Sequence, residues 1–330
     1  MKLNKSIILA AAVAFGLHAH ADPELPNIFG DHMVLQQKHK NPVWGWAAPG
    51  ESITVVIGRQ NKSTKADSKG NWTVKLDPLP AGGPYQMVVK GKSTVTYNDV
   101  LVGEVWVCSG QSNMRWTVAG SDDADIESLS ANYPNLRIIT LPNVGTQEPQ
   151  KNFDGAWSAV TPDSVKSFSA VGYYFGRVIH KSLNVPVGLI NNAWGGSAAE
   201  AWVKRDVLEA DPRYKELMAT WKKTEESYDH DKVMAAYQAK RAKWQEQVKK
   251  ARAAKKPLPR APRAPRNPLA GQHRPGNLYA GCLQPIIGYG IKGTIWYQGE
   301  SNASRGEQYG HLFPLMIEHW RDEWQQGDFS

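Results

Sequence analysis

This chain of 330 residues contains only two cysteines, Cys108 and Cys282. Two cysteines are too few for a disulfide-built scaffold, and the sequence alone does not pair them. An oxidising compartment would permit a bridge, but two buried thiols are the interpretation we favour. Neither these cysteines nor the nine histidines show the spacing of a metal-binding motif. The sequence therefore predicts no metal site.

The chain also lacks a run of about 20 apolar residues, the length that a membrane-spanning helix needs. Its one sustained apolar stretch, residues 7–17, follows Lys2 and Lys5 and precedes Ala19-His20-Ala21. A positive start, a short apolar run and an A-x-A site are typical of a secretory signal peptide. We predict cleavage before Asp22, removal of residues 1–21, and an exported (periplasmic or secreted) protein without a membrane span.

Acidic residues are scarce in one part of the chain only. The formal net charge is +8, yet residues 204–266 hold 18 Lys and Arg against 9 Asp and Glu, so the remainder is almost neutral. We interpret residues 204–268 as an insertion with two helices over 208–252, broken near 227–231. The segment KKPLPRAPRAPRNP then forms an extended, mobile linker. No nucleic-acid motif accompanies this charge, so we predict a solvated insertion and no nucleic-acid partner.

The spacing of the predicted strands and helices divides residues 22–330 into two domains. Residues 22–98 contain short β-rich runs separated by Gly, Pro and polar turns, which predicts a small all-β, sandwich-like domain. Residues 99–330 alternate strands and helices, which is typical of an α/β domain with a parallel sheet. The predicted strands are 136–141, 185–191 and 293–297, and the predicted helices are 165–183 and 309–324.

The sequence VWVCSGQSNMRW, residues 105–116, ends an apolar β-branched run on a small polar turn that carries Ser112. A strand that delivers a serine onto a tight turn is how hydrolases present an oxygen nucleophile. The turn is not the G-x-S-x-G elbow, because Asn113 and Met114 follow the serine. In a parallel sheet, ligands bind at the carboxyl ends of strands. The loops at 109–113, 191–197 and 298–302 are therefore expected to form the site.

Four stretches together resemble the bacterial sialate O-acetylesterase family of SGNH-type esterases. They are LPNIFGDHMVLQQ, VWVCSGQSNM, NNAWGGSAAEAW and IKGTIWYQGESNA. The resemblance implies an SGNH-type (flavodoxin-like), three-layer parallel sheet. It also implies acyl transfer from a sugar acetyl ester to a serine, which requires no metal or organic cofactor.

In this resemblance Ser112 is the nucleophile, and its own N–H helps to bind the oxyanion. A second N–H comes from the Gly195-Gly196 turn, and an amide comes from Gln298 or, alternatively, Asn302. A structural turn serine and a glycine pair that only permits positive φ are the plainer interpretations. Four further residues are expected to bind substrate or anchor loops: Gln111, Asn113, Trp116 and Glu300.

A histidine base is missing from the sequence pattern. The resemblance implies a D-x-x-H motif near the end of the esterase domain, and neither Asp31-His32 nor Asp229-His230 has that spacing. His273 and His311 are rival candidates that would have to fold into the site. We expect either a truncated esterase, incomplete at its C-terminus and with an uncovered sheet edge, or a chain that has lost its base.

The sequence is compatible with three functions: a sialate-type O-acetylesterase, an acetylxylan esterase and a noncatalytic glycan-binding protein. The first is a carbohydrate O-acetylesterase with an O-acetylated sugar or glycan as its partner, of the sialate 9-O-acetyl type by resemblance. Acetylated xylan is an alternative substrate. The third is a noncatalytic or degenerate glycan-binding protein, which the absence of a base favours. A lipase or peptidase is disfavoured because no apolar lid or peptide-site motif is visible.

Overall fold

A computed structural model describes residues 23–330, and the predicted signal peptide lies outside them. This part of the chain forms a mixed α/β structure with a large sheet and helices. Its strands are β1 (Val34–Gln36), β2 (Pro42–Trp46), β3 (Ser52–Ile57), β4 (Gln60–Lys65), β5 (Asn71–Lys75), β6 (Gly82–Lys90), β7 (Thr94–Gly110), β8 (Tyr133–Thr140), β9 (Ser158–Val160), β10 (Val187–Ala193) and β11 (Gly293–Tyr297). Its α-helices are α1 (Ser112–Arg115), α2 (Ala124–Ser130), α3 (Ala170–Leu183), α4 (Arg205–Ala210), α5 (Lys215–Ser227), α6 (His230–Ala253) and α7 (Gly306–Trp324).

One long strand, β7, links the two parts of the main sheet. Its first half pairs with β6 and β1, and its second half pairs in parallel with β10 and β11. The strand order is β4-β3-β6-β7-β10-β8-β9, while β2 and β5 form a separate antiparallel pair. The predicted division between residues 98 and 99 lies inside β7. The main sheet therefore continues across it.

The predicted strand–helix alternation after residue 100 is confirmed at the level of a large sheet with helices. Strands β8, β10, β7 and β11 run parallel to one another. β9 instead pairs antiparallel with β8. No crossover helix lies between β8 and β9, and a chain without one returns antiparallel. The sheet is thus mixed, whereas the sequence predicted a parallel one.

Helix α3 packs closely on this sheet because its buried face carries two glycines four residues apart. A Cβ added to Gly176 would lie 2.6 Å from the Leu189 side chain, and one on Gly172 would lie 2.9 Å from Cys108 Sγ. The predicted helix 165–183 begins later than expected, at Ala170. Ser169 is its N-cap, and its Oγ accepts a hydrogen bond from Gly172 N–H at 3.0 Å.

Both cysteines are free and buried, as we predicted. Burial raises the pKa of the Cys108 thiol strongly, and it raises that of Cys282 to about 12. Each therefore behaves as a small apolar side chain rather than a nucleophile. Across residues 23–330, no three His, Cys, Asp or Glu side chains are grouped so that they could bind a metal.

The predicted pair of helices in the basic region is α5 and α6, and they meet at residues 228–229. The Asp229 side chain caps α6 by accepting a hydrogen bond from Lys232 N–H at 2.9 Å. No helix within residues 23–330 combines the length and apolar character needed to cross a membrane.

The buried His319 on α7 is expected to make stability fall in mild acid. Its Nε2 accepts a hydrogen bond from Lys204 N–H at 3.3 Å, and burial lowers its pKa below the usual 6.5. Below about pH 6.5 His319 therefore binds a proton in the unfolded chain but remains neutral in the folded chain. The free energy of unfolding is highest above that pH and decreases by up to about 1.4 kcal/mol per pH unit below it.

His319→Gln keeps an acceptor for Lys204 N–H but does not titrate, so its urea midpoint is expected to vary less between neutral and mildly acidic buffer. Some slope remains, because burial also lowers the pKa of His39. His230→Gln, at an exposed position, is the control and keeps the wild-type slope. An undiminished slope in His319→Gln would show that this imidazole does not control the acid response.

Candidate active site

The carboxyl ends of three strands lie level at one edge of the sheet. Gly110 on β7 pairs with Ala193 on β10 and with Tyr297 on β11. Gly110 has a φ of 134°, and a Cβ on it would lie 2.2 Å from Tyr297 O. Only glycine fits this close approach, which brings the three predicted loops together.

Ser112 is the first residue of α1, directly after this crossing point. Its side chain is exposed, and its Oγ makes no hydrogen bond within residues 23–330. The loop after β10 lies against it, because a Cβ on Gly195 would be 3.8 Å from Ser112 Cα and Cβ. A serine held at a strand end beside a glycine loop has the placement of a nucleophile rather than of a turn-closing hydroxyl.

The third loop is anchored on the residues either side of Ser112. Gln111 N–H donates to Tyr297 O at 2.9 Å, and its side-chain Oε1 accepts from Ser301 N–H at 3.3 Å. Asn113 Nδ2 donates to Glu300 Oε1 at 2.7 Å. In this structure, therefore, three residues that we expected to bind substrate or anchor loops hold one loop against another.

Unused backbone donors surround Ser112. The N–H groups of Ser112, Gly195 and Gly196 donate no hydrogen bond to any group in the described chain. Gly196 has a φ of 72°, which favours glycine there. Unused N–H groups near an exposed hydroxyl are the kind of donor that can bind an oxyanion.

The two amides considered for the oxyanion hole have other partners in this structure. Gln298 Nε2 donates to Ser197 O at 3.0 Å and to Asn302 Oδ1 at 2.7 Å, which uses both of its hydrogens. The buried Asn302 accepts from Ala199 N–H at 3.0 Å and donates to Glu200 Oε2 at 2.8 Å. Both amides thus connect the third loop to the segment that follows Gly195-Gly196, and neither Gln298 hydrogen is free for an oxyanion.

Sequence reasoning missed Glu200, which lies at the centre of this connection. Its side chain is 2% exposed and accepts from Asn302 Nδ2 and, at 2.5 Å, from Arg305 Nη2. A buried carboxylate is stable only when it is paired and hydrogen-bonded, and here both conditions hold. The sequence feature that could have pointed to Glu200 is its place as the one acidic residue in the otherwise apolar run AAEAW.

A cleft of about 460 Å³ opens beside these loops. Ser301 belongs to both the cleft and the third loop, and His273 connects the cleft to the glycine loop, because its Nε2 lies 2.6 Å from Gly196 O. Helix α5 forms the opposite wall and contributes Trp221. The lining mixes polar side chains with an aromatic ring: Ala198, Glu200, Glu216, Leu217, Thr220, Trp221, His273, Ser301, Arg305 and Gln308.

Trp116 lies at the end of α1 and is 57% exposed. Its Nε1 donates to Gly120 O at 2.8 Å, which fixes the ring while leaving most of it accessible. A fixed, exposed aromatic ring four residues after Ser112 is available to contact a substrate.

No histidine hydrogen-bonds Ser112 within residues 23–330. His273 interacts with Gly196 O, and acting as a base would require it to leave that carbonyl. His311 is exposed on α7 and lines a different cavity with Arg213 and Tyr214.

Comparison with known proteins shows which family the chain resembles. Residues 102–256 match the family described as carbohydrate esterase, sialic acid-specific acetylesterase. The chain is 30% identical to sialate O-acetylesterase of Rattus norvegicus over 325 residues and 30% identical to that of Homo sapiens over 319 residues. These alignments cover 90% and 89% of this chain but 56% and 52% of those proteins. The chain thus spans about half the length of the curated relatives it matches.

A solved carbohydrate acetylesterase from Xanthomonas citri is 31% identical and superposes with a TM-score of 0.72. The match covers 92% of this chain and 58% of that one. The resemblance drawn from the four sequence stretches is confirmed. Residues 102–256, which hold Ser112 and the Gly195-Gly196 loop, match the model of the carbohydrate esterase family of sialic acid-specific acetylesterases, and the chain as a whole is similar to sialate O-acetylesterases.

Proposed function

We propose that this protein is an exported carbohydrate O-acetylesterase of the SGNH type, with Ser112 as its nucleophile. One observation carries the proposal: an exposed serine lies at a strand end beside a glycine loop, and unused N–H groups surround it. That arrangement suits attack on an acyl carbonyl and stabilisation of the oxyanion that results.

In the proposed reaction, Ser112 Oγ attacks the carbonyl carbon of a sugar acetyl ester. The carbonyl oxygen becomes negative and accepts hydrogen bonds from Ser112 N–H and from Gly195 or Gly196 N–H. Each such donor lowers the barrier by roughly 3–4 kcal/mol. The ester C–O bond then breaks, and the proton lost by Ser112 Oγ ends on the departing sugar oxygen. Water next attacks the acetyl-serine, which restores the Ser112 hydroxyl and releases acetate with a proton.

Within this proposal, Gln298 and Asn302 position the glycine loop instead of touching the oxyanion, because their amides already connect the two loops. The cleft between α5 and the third loop holds the sugar. Its carboxylate, amide and hydroxyl groups suit sugar hydroxyls, and Trp221 offers an apolar surface. We propose a 9-O-acetylated sialate as substrate, with acetylated xylan as the alternative.

A second candidate, glycan binding without turnover, is favoured by one observation: no histidine reaches Ser112 in residues 23–330. A serine without a base is a weak nucleophile at neutral pH. In that case the same cleft would bind a sugar while the ester stays intact.

Acetate release from three substrates separates these functions: p-nitrophenyl acetate, a 9-O-acetylated sialic acid and acetylated xylan. We expect release from all three, fastest from the sialate. Fastest release from xylan would assign the alternative substrate. Binding of the acetylated sugars with no acetate released from any substrate would overturn the esterase proposal in favour of glycan binding.

A further inference from the structure

Helix α6 and the segment after it hold 12 of the 39 Lys and Arg of the chain but only two of its 31 Asp and Glu. We call residues 230–267 the basic arm. Between residues 232 and 266 the arm holds twelve Lys and Arg and one acid, Glu246. None of the 24 residues of α6 is buried, although the helix is about 36 Å long at 1.5 Å per residue.

The basic arm is nevertheless held together by an internal contact between helix α6 and the segment that follows it. Trp244 Nε1 on α6 donates to Pro259 O at 2.9 Å. The returning segment repeats Pro-Arg-Ala, and Pro259, Pro262 and Pro265 are half-buried at every third position. A three-residue period is that of a polyproline II helix.

The arginines of this segment recur with the same three-residue period. Arg260, Arg263 and Arg266 are all exposed, whereas the three prolines are half-buried. In a polyproline II segment they recur about every 9 Å along a line. On α6, Val233 and Trp244 are half-buried, whereas every Lys and Arg of the helix is exposed.

These cations have no acidic partners in the protein. None of the twelve forms an ion pair with any group in residues 23–330. At the base of the arm the pattern differs, since Arg205 and Arg274 both pair with Glu225, at 2.6 and 2.8 Å. A row of unpaired like charges repels itself, and an anionic partner would remove that cost.

Both ends of the arm join the proposed active site. Helix α5, which leads into the arm, contributes Glu216 and Trp221 to the cleft. The chain that returns from the arm reaches Gln272, whose Nε2 donates to Gly195 O at 3.4 Å, and His273 beside Gly196. A polymer lying along the arm therefore leads towards Ser112.

We propose that the basic arm binds an acidic polysaccharide, a linear glycan with repeated carboxylates, and holds it beside the cleft. Arginine forms strong paired hydrogen bonds with carboxylates, and the exposed arginine row offers three such sites.

Two other polyanions fit the arm less well. Single-stranded nucleic acid needs exposed aromatic rings for base stacking, whereas Tyr237 and Trp244 are half-buried in the arm. An anionic membrane needs an apolar helix face, but Val233 and Trp244 of α6 are half-buried and Leu258 is the one large exposed hydrophobic in the arm.

The test measures binding of the full chain to fluorescent polygalacturonate, with no turnover involved, so it is independent of the esterase proposal. We compare wild type with a triple variant, Arg260→Gln, Arg263→Gln and Arg266→Gln, which keeps every proline. The matched control, Lys65→Gln, Lys90→Gln and Lys92→Gln, removes three exposed, unpaired charges outside the arm. Neutral dextran, oligothymidylate and phosphatidylglycerol vesicles serve as competing probes.

We expect wild type to bind polygalacturonate but not dextran, and to bind less tightly as salt increases. The triple variant should bind about tenfold more weakly, a difference of about 1.4 kcal/mol in binding free energy, because it lacks the three arginine contacts. The control should match wild type. Absence of polygalacturonate binding, equal weakening in the control, or tighter binding to oligothymidylate or vesicles would each overturn the proposal.

Discussion

Ser112→Ala is expected to lower the rate of acetate release from p-nitrophenyl acetate by at least about 10³-fold, because loss of a nucleophile leaves only binding and oxyanion stabilisation. The exposed Ser112 side chain makes no hydrogen bond within residues 23–330, so its removal should leave the fold intact. The measurement is the initial rate, with the urea midpoint recorded to show that stability is unchanged.

Ser304→Ala is the matched control. Ser304 is also an exposed serine and lies just beyond the third loop, two residues after Asn302. It should retain the wild-type rate within about twofold, as surface substitutions usually do. Equal rates for wild type and Ser112→Ala would mean that another group accepts the acetyl.

Glu200→Gln should reduce both stability and turnover. The substitution keeps the shape of the side chain but leaves Arg305 facing a neutral amide and weakens the contact with Asn302. Breaking a fully buried pair costs about 3–5 kcal/mol; because Arg305 is 33% exposed, we expect about 2 kcal/mol here. Glu200 holds Asn302, which in turn accepts from Ala199 N–H three residues after Gly196, so we expect kcat to decrease about tenfold with a smaller change in KM.

The control for this residue is Glu209→Gln, which breaks the ion pair between Glu209 and Arg205, two side chains near the surface. The free energy of unfolding should then change by less than about 1 kcal/mol, with no change in kcat. If Glu200→Gln unfolds at the same urea concentration as Glu209→Gln and keeps the wild-type kcat, the connection through Glu200 does not position the loop.

The meeting of the three loops could be predicted because parallel strands align their carboxyl ends. Each of β7, β10 and β11 has an apolar run that ends in small or amide residues, and the level pairing of Gly110 with Ala193 and Tyr297 follows from that arrangement. Local sequence was sufficient for this part of the site.

The partners of Gln298 could not be predicted from its neighbours in sequence. Its position after β11 suggested an oxyanion donor, yet its hydrogens are donated to Ser197 O and Asn302. Asn302 is only four residues away, but the contact with Ser197 depends on how two loops 101 residues apart pack together, which no local pattern encodes. The role of Glu200 was hidden for the same reason, because Arg305 lies 105 residues away.

The continuity of β7 was obscured by a polar pair inside the strand. Asn98-Asp99 read as the end of a domain, and Asp99 does have a positive φ of 54°. Its carboxylate, however, accepts from Arg137 Nη1 and lies 2.7 Å from His32 Nδ1. The hydrogen bond from Arg137 lowers the pKa of Asp99, so the charged side chain is stable within the sheet.

The central claim is that Ser112 is an activated nucleophile, and covalent labelling tests it most directly. The chain is treated with a fluorophosphonate, and the modified residue is identified by peptide mass spectrometry. We predict a single adduct on Ser112, absent from Ser112→Ala and retained in Ser304→Ala. A chain that binds acetylated sugar yet remains unlabelled at Ser112, or that is labelled at another serine, would contradict the account.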